Sequence, residues 1–170
     1  MAKSGSVAVQ EADWQSLREA RLMALRTSPQ AFCGDYTRER LAHRRSWRLR
    51  LNSGTWLVAR SGGRVVGLAG MLDEPDPVGG PDAVLGTRCV ESVWVHPDLR
   101  RQGVVRQVLE TVEQRALRQG VGTLVLWVLE SNPVAAEVYR RLGYVPTGIE
   151  QPIGIHGRWD VEKRLMKSLL

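Results

Sequence analysis

The sequence predicts an α/β fold with a central mixed sheet that is mostly antiparallel, contains one parallel pair of central strands, and carries helices on both faces. Two observations lead to this fold class. The hydrophobic period changes from helical to strand-like at Thr55. Further along, apolar strands at 90–95 and 121–129 are joined by an amphipathic helix, and a helical crossover makes two strands parallel neighbours. The outer strands are then expected to run antiparallel.

The composition is that of one domain, which we expect to cover residues 1–170 with residues 1–6 disordered. No apolar run approaches the roughly 18 residues of a membrane span, and the N-terminus is too polar for a signal peptide. The two cysteines, Cys33 and Cys89, belong to no CxxC pair, which argues against a zinc site and a disulfide framework. We therefore expect a cytoplasmic protein with no metal and no membrane partner.

The N-terminal third is expected to hold a short strand at 7–10 and two helices. Asp13 is a favourable N-cap, and Thr27-Ser28-Pro29 ends the first helix because a residue before proline avoids helical backbone. The second helix is predicted over 36–51. Asn52-Ser53-Gly54 ends it, since Asn and Gly tolerate the left-handed backbone that follows a last turn.

Strands at 55–60 and 64–72 enclose a Ser61-Gly62-Gly63 turn and predict an antiparallel hairpin. The following segment, 73–86, is rich in proline and glycine and carries four acidic residues. It is either a solvated loop or an acidic rim that attracts a cationic amine. The sequence alone leaves both interpretations open.

Helix and strand alternate in the C-terminal half. An amphipathic helix over 104–119 precedes an almost unbroken apolar strand at 121–129, which implies burial on both faces. Pro133 suits the first position of a short helix over 134–142, and a final strand is expected at 159–165. The tryptophans are expected mainly in the core, at positions 14, 47, 56, 94, 127 and 159.

The net charge of +6 comes mostly from arginines spread along the whole chain, which is a weak signal for a polyanion. The densest cluster holds six arginines within 38–50, on a predicted helix. It is either a solvated helical face that suits an anionic cofactor or a true polyanion site. We expect no nucleic-acid partner.

The most informative stretch is 90–112. Its apolar strand ends in a Pro97-Asp98 turn, two arginines and a glycine follow, and an amphipathic helix then begins. Unpaired amides at the start of a helix, together with the helix dipole, favour an anion. The loop between strand and helix is therefore a predicted phosphate site.

Three segments together resemble the Gcn5-related N-acetyltransferase (GNAT) superfamily, and the resemblance covers about residues 14–165. The loop at 100–105 (RRQGVV) resembles the family's acyl-CoA pyrophosphate loop, and 91–97 (ESVWVHP) is similar to the strand before it. The segment 132–144, with Asn132, Ala135, Tyr139, Gly143 and Tyr144, resembles the one beside the pantetheine arm and thioester. Val105 departs from the family pattern, which has Gly or Ala there.

The resemblance implies the acyl-CoA N-acyltransferase fold and an N-acetyltransferase that uses acetyl-CoA and no metal. The acceptor would be a primary amine, on a small molecule or a peptide, that attacks directly in a ternary complex; a homodimer is possible. Backbone groups of Val93 and Val95 would pair with the pantetheine, and a Val95 amide could polarise the acetyl carbonyl. The remaining cofactor-binding residues would be Arg100, Arg101, Gln102, Gly103, Val104, Val105, Arg106 and Asn132.

Each proposed role has a structural alternative that the sequence leaves open. Tyr139 is a candidate general acid or a core tyrosine, and Glu91 is a candidate base or half of a buried ion pair. Asn132 contacts the pantetheine or only caps its helix, and His96 is a weaker base candidate that fits a turn. Val105 hinders approach to the phosphates or turns into the core. The alternative function is a non-catalytic acyl-CoA-binding sensor or interaction module with the same fold.

Overall fold

A mixed sheet forms the centre of the computed structural model, which describes residues 6–74 and 86–170. Within those residues it has seven strands: β1 Val7–Glu11, β2 Gly54–Ser61, β3 Arg64–Leu72, β4 Thr87–Val95, β5 Thr123–Leu129, β6 Val145–Ile155 and β7 Arg158–Ser168. Their spatial order is β1-β2-β3-β4-β5-β7-β6. The β4–β5 pair is parallel and every other neighbouring pair is antiparallel. The predicted mixed sheet with a parallel central pair is confirmed.

Five α-helices in the described part of the chain accompany the sheet: α1 Trp14–Thr27, α2 Tyr36–Arg40, α3 Arg44–Leu51, α4 Val104–Arg118 and α5 Pro133–Arg141. Helix α1 begins where predicted, because the Asp13 carboxylate accepts a hydrogen bond from Ser16 N and the Ser16 hydroxyl accepts one from Asp13 N. Helices α4 and α5 lie within one residue of their predicted bounds.

The single helix predicted over 36–51 is wrong, because the chain forms two short helices there, α2 and α3. The break falls at 41–43. His43 has extended backbone and its ring nitrogen accepts a hydrogen bond from Arg45 N at 3.2 Å, so it caps α3 as a separate helix. Leu41, at the break, is 73% exposed.

Strand β6 is absent from the sequence prediction, and β7 is longer than predicted. Pro146 and Pro152 favour a loop over a strand in this segment. Proline is nevertheless tolerated in an edge strand, and β6 lies at the edge of the sheet. The two-residue turn His156-Gly157 joins β6 to β7. Both turn residues have positive φ, 47° and 77°, as the tightest hairpin turns require.

Two hydrophobic cores lie against the sheet, one on each face. Helix α4 packs its buried Val108, Leu109 and Val112 in one core, together with Tyr139 of α5. Helix α1 forms the other core with Trp47 of α3. The prediction that Trp159 belongs to the core is wrong. This residue is 82% exposed because it sits beside the β6–β7 turn, opposite Gly154, beyond both cores.

Part of the predicted acidic segment and most of the predicted disordered end, residues 75–85 and 1–5, lie outside the described residues. Asp73 and Glu74 are described and exposed. None of the helices in the described ranges has the length and apolar character needed to cross a membrane.

Gly70 provides a test of how tightly the α1 face is packed. A Cβ added there would lie 2.6 Å from the ring of Trp56, and that ring is held by a 2.8 Å hydrogen bond from its Nε1 to Arg50 O. We expect Gly70→Ala to lower the free energy of unfolding by roughly 1–3 kcal/mol in urea titrations. Gly154→Ala is the matched control, because a Cβ there meets no described atom within 4 Å. Equal stability of the two variants would contradict the packing described.

Candidate active site

The two parallel strands β4 and β5 separate partway along the sheet. Their paired residues run from Thr87 opposite Thr123 to Val90 opposite Leu126. Beyond that point β4 continues to Val95 and β5 to Leu129 without further pairing between them in the described structure. The edge of β4 that faces β5 is therefore open from Glu91 onward.

A β-bulge lies where the strands separate. Leu68 of β3 faces Trp94 and Gly70 faces Glu91, so Ser92 and Val93 together occupy the space opposite one residue, Ala69. Ser92 has φ of 55°, in the left-handed region that non-glycine residues rarely adopt. Such a bulge bends its strand and changes the direction of the residues that follow.

The backbone amide of Val95 points toward the open edge. His96 N donates to Val66 O of β3 at 2.9 Å, and successive amides of a strand point to opposite edges. Val95 N–H is thus directed away from β3, and Val93 N–H, two residues earlier, points the same way. The structure therefore places the backbone of both predicted residues at the edge that β5 leaves unpaired.

The loop after β4 leads to the uncapped start of α4. Gly103 precedes the helix with φ of 79°, and no side chain of the described residues caps the first turn. Gln102 instead directs its side-chain amide to Asp98 O, at 3.1 Å. The first amides of α4 thus remain available, and together with the helix dipole they favour an anion.

The predicted arginines of this loop differ in their surroundings. Arg100 turns toward the protein, where Nε donates to Val95 O at 3.2 Å and Nη2 donates to Ser28 Oγ at 2.8 Å. Arg101 and Arg106 are exposed on either side of Gly103. The positive charge free to meet a ligand at the start of α4 is therefore carried by Arg101 and Arg106, and Arg100 fixes the loop to the end of α1.

The two valines at the start of α4 present backbone and not side chain to the loop. Val104 is 2% exposed, and Val105 packs against the same core. The Val105 side chain therefore turns into the core, which is the second of the two orientations considered from the sequence. Its deviation from the family pattern leaves the amides of the loop accessible.

Tyr139 lies on α5, which packs against β5 on the far side of the opening. It is 9% exposed, and burial raises the pKa of Tyr139 to about 12. The ring of Tyr144 meets it edge-on with centroids 6.1 Å apart. The Tyr144 hydroxyl is fully buried without a hydrogen-bond partner in the described structure, and burial also raises its pKa. Tyr139 keeps its proton throughout the neutral range.

Asn132 caps α5, since its Oδ1 accepts a hydrogen bond from Ala135 N at 3.2 Å. The capping interpretation is thereby confirmed. Its side-chain nitrogen forms no hydrogen bond with any described residue, so the same side chain has a donor left for a ligand. Capping and ligand contact are compatible.

Glu91 is half-buried at the point where β4 leaves β5. Its carboxylate forms no ion pair or hydrogen bond with the described residues, so the alternative of a buried ion pair finds no partner among them. His96, the weaker candidate, accepts a hydrogen bond from Asp98 N at 3.3 Å and belongs to the turn after the strand.

A partly buried ionic network beside Ser92 was not predicted from the sequence. Arg21 of α1 donates from Nη1 to Ser92 Oγ at 3.1 Å, and from Nε and Nη2 to the Glu39 carboxylate at 3.0 and 2.9 Å. Arg50 of α3 binds the same carboxylate at 2.9 Å. In the sequence, these charged residues look like the solvent-exposed residues of an ordinary helix. No local pattern indicates that they interact with one another.

The segment after α1 and the β6–β7 hairpin meet near this network. His156 Nε2, at the hairpin turn, lies 3.1 Å from Pro29 O. Burial and the nearby Glu162 carboxylate raise the pKa of Cys33, while the charge of Arg21 acts in the opposite direction. Glu162 accepts a hydrogen bond from the amide of Gln151. In the described ranges no three His, Cys, Asp or Glu side chains are grouped as a metal site requires.

Comparison with known proteins identifies the family. Residues 14–144 match the model of the acetyltransferase (GNAT) family. Among solved structures, yncA from Salmonella typhimurium, solved with its cofactor acetyl-CoA, is 22% identical, with 97% of this chain and 95% of that chain covered and a TM-score of 0.73. An N-acetyltransferase from Staphylococcus aureus is 18% identical, with 97% of this chain and 99% of that chain covered and a TM-score of 0.74. A ribosomal-protein-alanine N-acetyltransferase from Brucella melitensis is 20% identical, with 95% of this chain and 99% of that chain covered and a TM-score of 0.72. At these identities the structural likeness shows a shared fold.

The Arg21–Glu39–Arg50 network should make stability depend on pH. Burial raises the pKa of Glu39, but hydrogen bonds and charges from Arg21 and Arg50 outweigh it and leave the pKa below its ordinary 4.5. The stabilisation is therefore fully present above pH 4.5 and is lost as the pH falls through the lower, folded-state pKa. We expect Glu39→Gln to lower the free energy of unfolding by roughly 1–3 kcal/mol at neutral pH.

Denaturant titrations from about pH 7 to about pH 3 test this expectation. The difference between wild type and Glu39→Gln should shrink toward acid pH. Glu19→Gln is the control, because Glu19 forms a half-exposed ion pair with Arg60 at 3.6 Å and should matter little. A difference that does not change with pH would contradict the assignment.

Proposed function

The chain belongs to the GNAT acetyltransferase family, and on that premise we propose that it transfers the acetyl group of acetyl-CoA to a primary amine. The amine attacks directly in a ternary complex. The observation that carries this proposal is the open edge of β4 at Val93 and Val95, followed at once by the uncapped start of α4. The loop between β4 and α4 thereby connects a strand edge that can pair with the pantetheine arm to helix amides that can bind the pyrophosphate.

The residues present suit acetyl-CoA, which supplies the activated thioester when bound. Val93 and Val95 would pair with the pantetheine arm as an added strand, and Asn132 would donate from its free amide nitrogen. Backbone amides at 101–106, including those of Gln102, Gly103, Val104 and Val105, would hold the pyrophosphate. Arg101 and Arg106 would add positive charge. That yncA was solved with acetyl-CoA supports this choice.

Glu91 is the proposed base. A half-buried carboxylate with no cationic partner among the described residues can accept a proton from the ammonium form of the acceptor, directly or through water. The neutral amine nitrogen then forms a bond to the acetyl carbon, and the carbon–sulfur bond breaks to release the CoA thiolate. The nitrogen loses its second proton to water, which gives the neutral amide. The Val95 amide would polarise the carbonyl in this step.

Tyr139 is the proposed donor to the departing sulfur. A pKa of about 12 keeps its proton in place at neutral pH. A thiol has a pKa of about 8.5, so complete transfer of the Tyr139 proton to a thiolate is uphill. Stabilisation of the thiolate by a strong hydrogen bond, with the proton supplied finally from water, is therefore the role that this environment favours.

A carboxylate of the β6–β7 hairpin, Glu162, is proposed to face the acceptor. Glu162 accepts a hydrogen bond from the neutral side chain of Gln151 and is near enough to Cys33 to raise the pKa of that thiol. A carboxylate there would attract a cationic amine, which could belong to a small molecule or to a peptide. We propose that this acceptor is a cytoplasmic one.

Thiol release from acetyl-CoA in the presence of a panel of amines tests this function. We expect Tyr139→Phe to lower kcat by roughly 10- to 100-fold with little change in CoA affinity, because only the departing thiolate loses its donor. Tyr144→Phe is the matched control, since its hydroxyl is sealed in the core. Unchanged turnover of Tyr139→Phe at every pH would remove Tyr139 from the mechanism. CoA binding by the wild type without turnover of any amine would indicate a non-catalytic acyl-CoA-binding module instead.

Calorimetric titration with CoA tests the phosphate site. Gly103→Val adds a side chain in front of the first amides of α4 and strains a backbone with φ of 79°, so we expect CoA affinity to fall at least about tenfold. Gly120→Val imposes the same strain at the other end of the helix, where φ is 74°. It should lower stability similarly and leave CoA affinity unchanged. Equal affinity of Gly103→Val and wild type would show that CoA binds elsewhere.

A further inference from the structure

Ser92 adopts a backbone conformation that its residue type does not favour. Its φ of 55° opens the β-bulge of β4, and the residue that takes the left-handed conformation in such a bulge is usually glycine. A serine at this position tends to relax toward extended backbone unless its side chain is held. The surrounding structure must therefore supply the interaction that keeps it there.

Arg21 supplies that interaction. This residue is 8% exposed, and its guanidinium donates from Nη1 to Ser92 Oγ at 3.1 Å. The other two nitrogens of the guanidinium are bound to Glu39, which Arg50 holds from the opposite side. The Phe32 ring lies 5.3 Å from the guanidinium carbon. Arg21 is thus fixed on every side, and Ser92 is hydrogen-bonded to a rigid group.

The position of Ser92 makes this contact matter for the reaction. It lies between Glu91, the proposed base, and Val93, the first of the two residues whose amides are directed toward the opening. If Ser92 returned to extended backbone, the two-to-one pairing with Ala69 would be lost, and the residues after it would exchange their edges of the strand. Val93 and Val95 would then turn their amides toward β3 and away from the opening.

We propose that Arg21 is a positioning residue for acetyl transfer, which through Ser92 holds the bulge that aims Glu91 and the Val93–Val95 edge at the acetyl group. This inference rests on the proposed function, because it assigns a task to those residues. Arg21 lies on the α1 face of the sheet and touches neither the loop before α4 nor Tyr139. Its contact with the proposed catalytic residues runs through Ser92 and the backbone of β4.

Substitution of Arg21 is compared with substitution of an arginine on the same helix. Arg21→Met should lower kcat roughly 10- to 100-fold, the size expected when reacting groups are displaced by about 1 Å. The KM for acetyl-CoA should change much less, since the phosphate site is untouched. Arg18→Met is the control, because Arg18 donates to Arg40 O of α2 without reaching β4. It should leave kcat unchanged.

Ser92 variants distinguish positioning from a general loss of stability. Ser92→Ala removes the hydroxyl and leaves the Arg21–Glu39–Arg50 network intact, so it should reproduce the loss of kcat even if Arg21→Met folds poorly. Ser92→Gly accepts the left-handed backbone without any hydrogen bond. When combined with Ser92→Gly, Arg21→Met should therefore cost much less in kcat than it does in the wild-type background. An equal cost in both backgrounds would overturn the proposal.

Backbone geometry provides a measurement that needs no turnover. The Cα and Cβ chemical shifts of Ser92 report its left-handed conformation, and they should move toward extended values in Arg21→Met but not in Arg18→Met. Unchanged shifts would overturn the positioning role. If instead the shifts move as expected and the wild type acetylates no amine, the proposed function fails and the catalytic task of Arg21 fails with it. The two failures are thus distinguishable.

Discussion

The separation of β4 from β5 is the feature on which the functional chemistry depends. Backbone amides and carbonyls need partners, and a strand that loses its neighbour on one side keeps a row of them unsatisfied. β3 occupies one edge of β4 throughout the stretch near Val95, so the unsatisfied groups all face the opening. The open space beside β4 and the unpaired backbone groups that face it therefore both arise where β4 and β5 separate. The loop and the start of α4 extend that site with donors for an anion.

An open strand edge has to be held in place, and three side-chain hydrogen bonds do so, two from α1 and one from the residue after it. Arg21 holds Ser92, Thr27 accepts from the indole of Trp94 at 3.1 Å, and Ser28, just after the helix, accepts from Arg100. Burying Arg21 is costly unless its charge is compensated, and Glu39 provides that compensation together with Arg50. The short helices α2 and α3 are thereby connected to the backbone of β4.

Local packing explains the one departure from the family pattern noted in the sequence, Val105, and the surroundings of two residues that match the pattern, Arg100 and Tyr139. Val105 is accommodated because its side chain completes the core under α4, and only its backbone faces the loop. Arg100 fixes the loop through hydrogen bonds to Val95 O and Ser28 Oγ, whereas Arg101 and Arg106 are exposed beside the first amides of α4. The burial of Tyr139 makes it a hydrogen-bond donor that does not ionise. Each of these roles follows from where a side chain is packed and not from the residue type alone.

Local signals in the sequence were sufficient to predict much of the fold. The Asp13 cap predicted the start of α1, and the helical crossover through the amphipathic α4 predicted the parallel pair, since these signals lie within short continuous stretches of the chain. The sequence did not reveal β6, whose prolines are tolerated only because tertiary packing places it at an edge. Nor did it reveal the Arg21 network, because Ser92 and Arg21 lie 71 residues apart. A charge can be buried only beside partners that the folded sheet brings close to it. Helical or strand periodicity in the sequence does not indicate which distant residues become those partners.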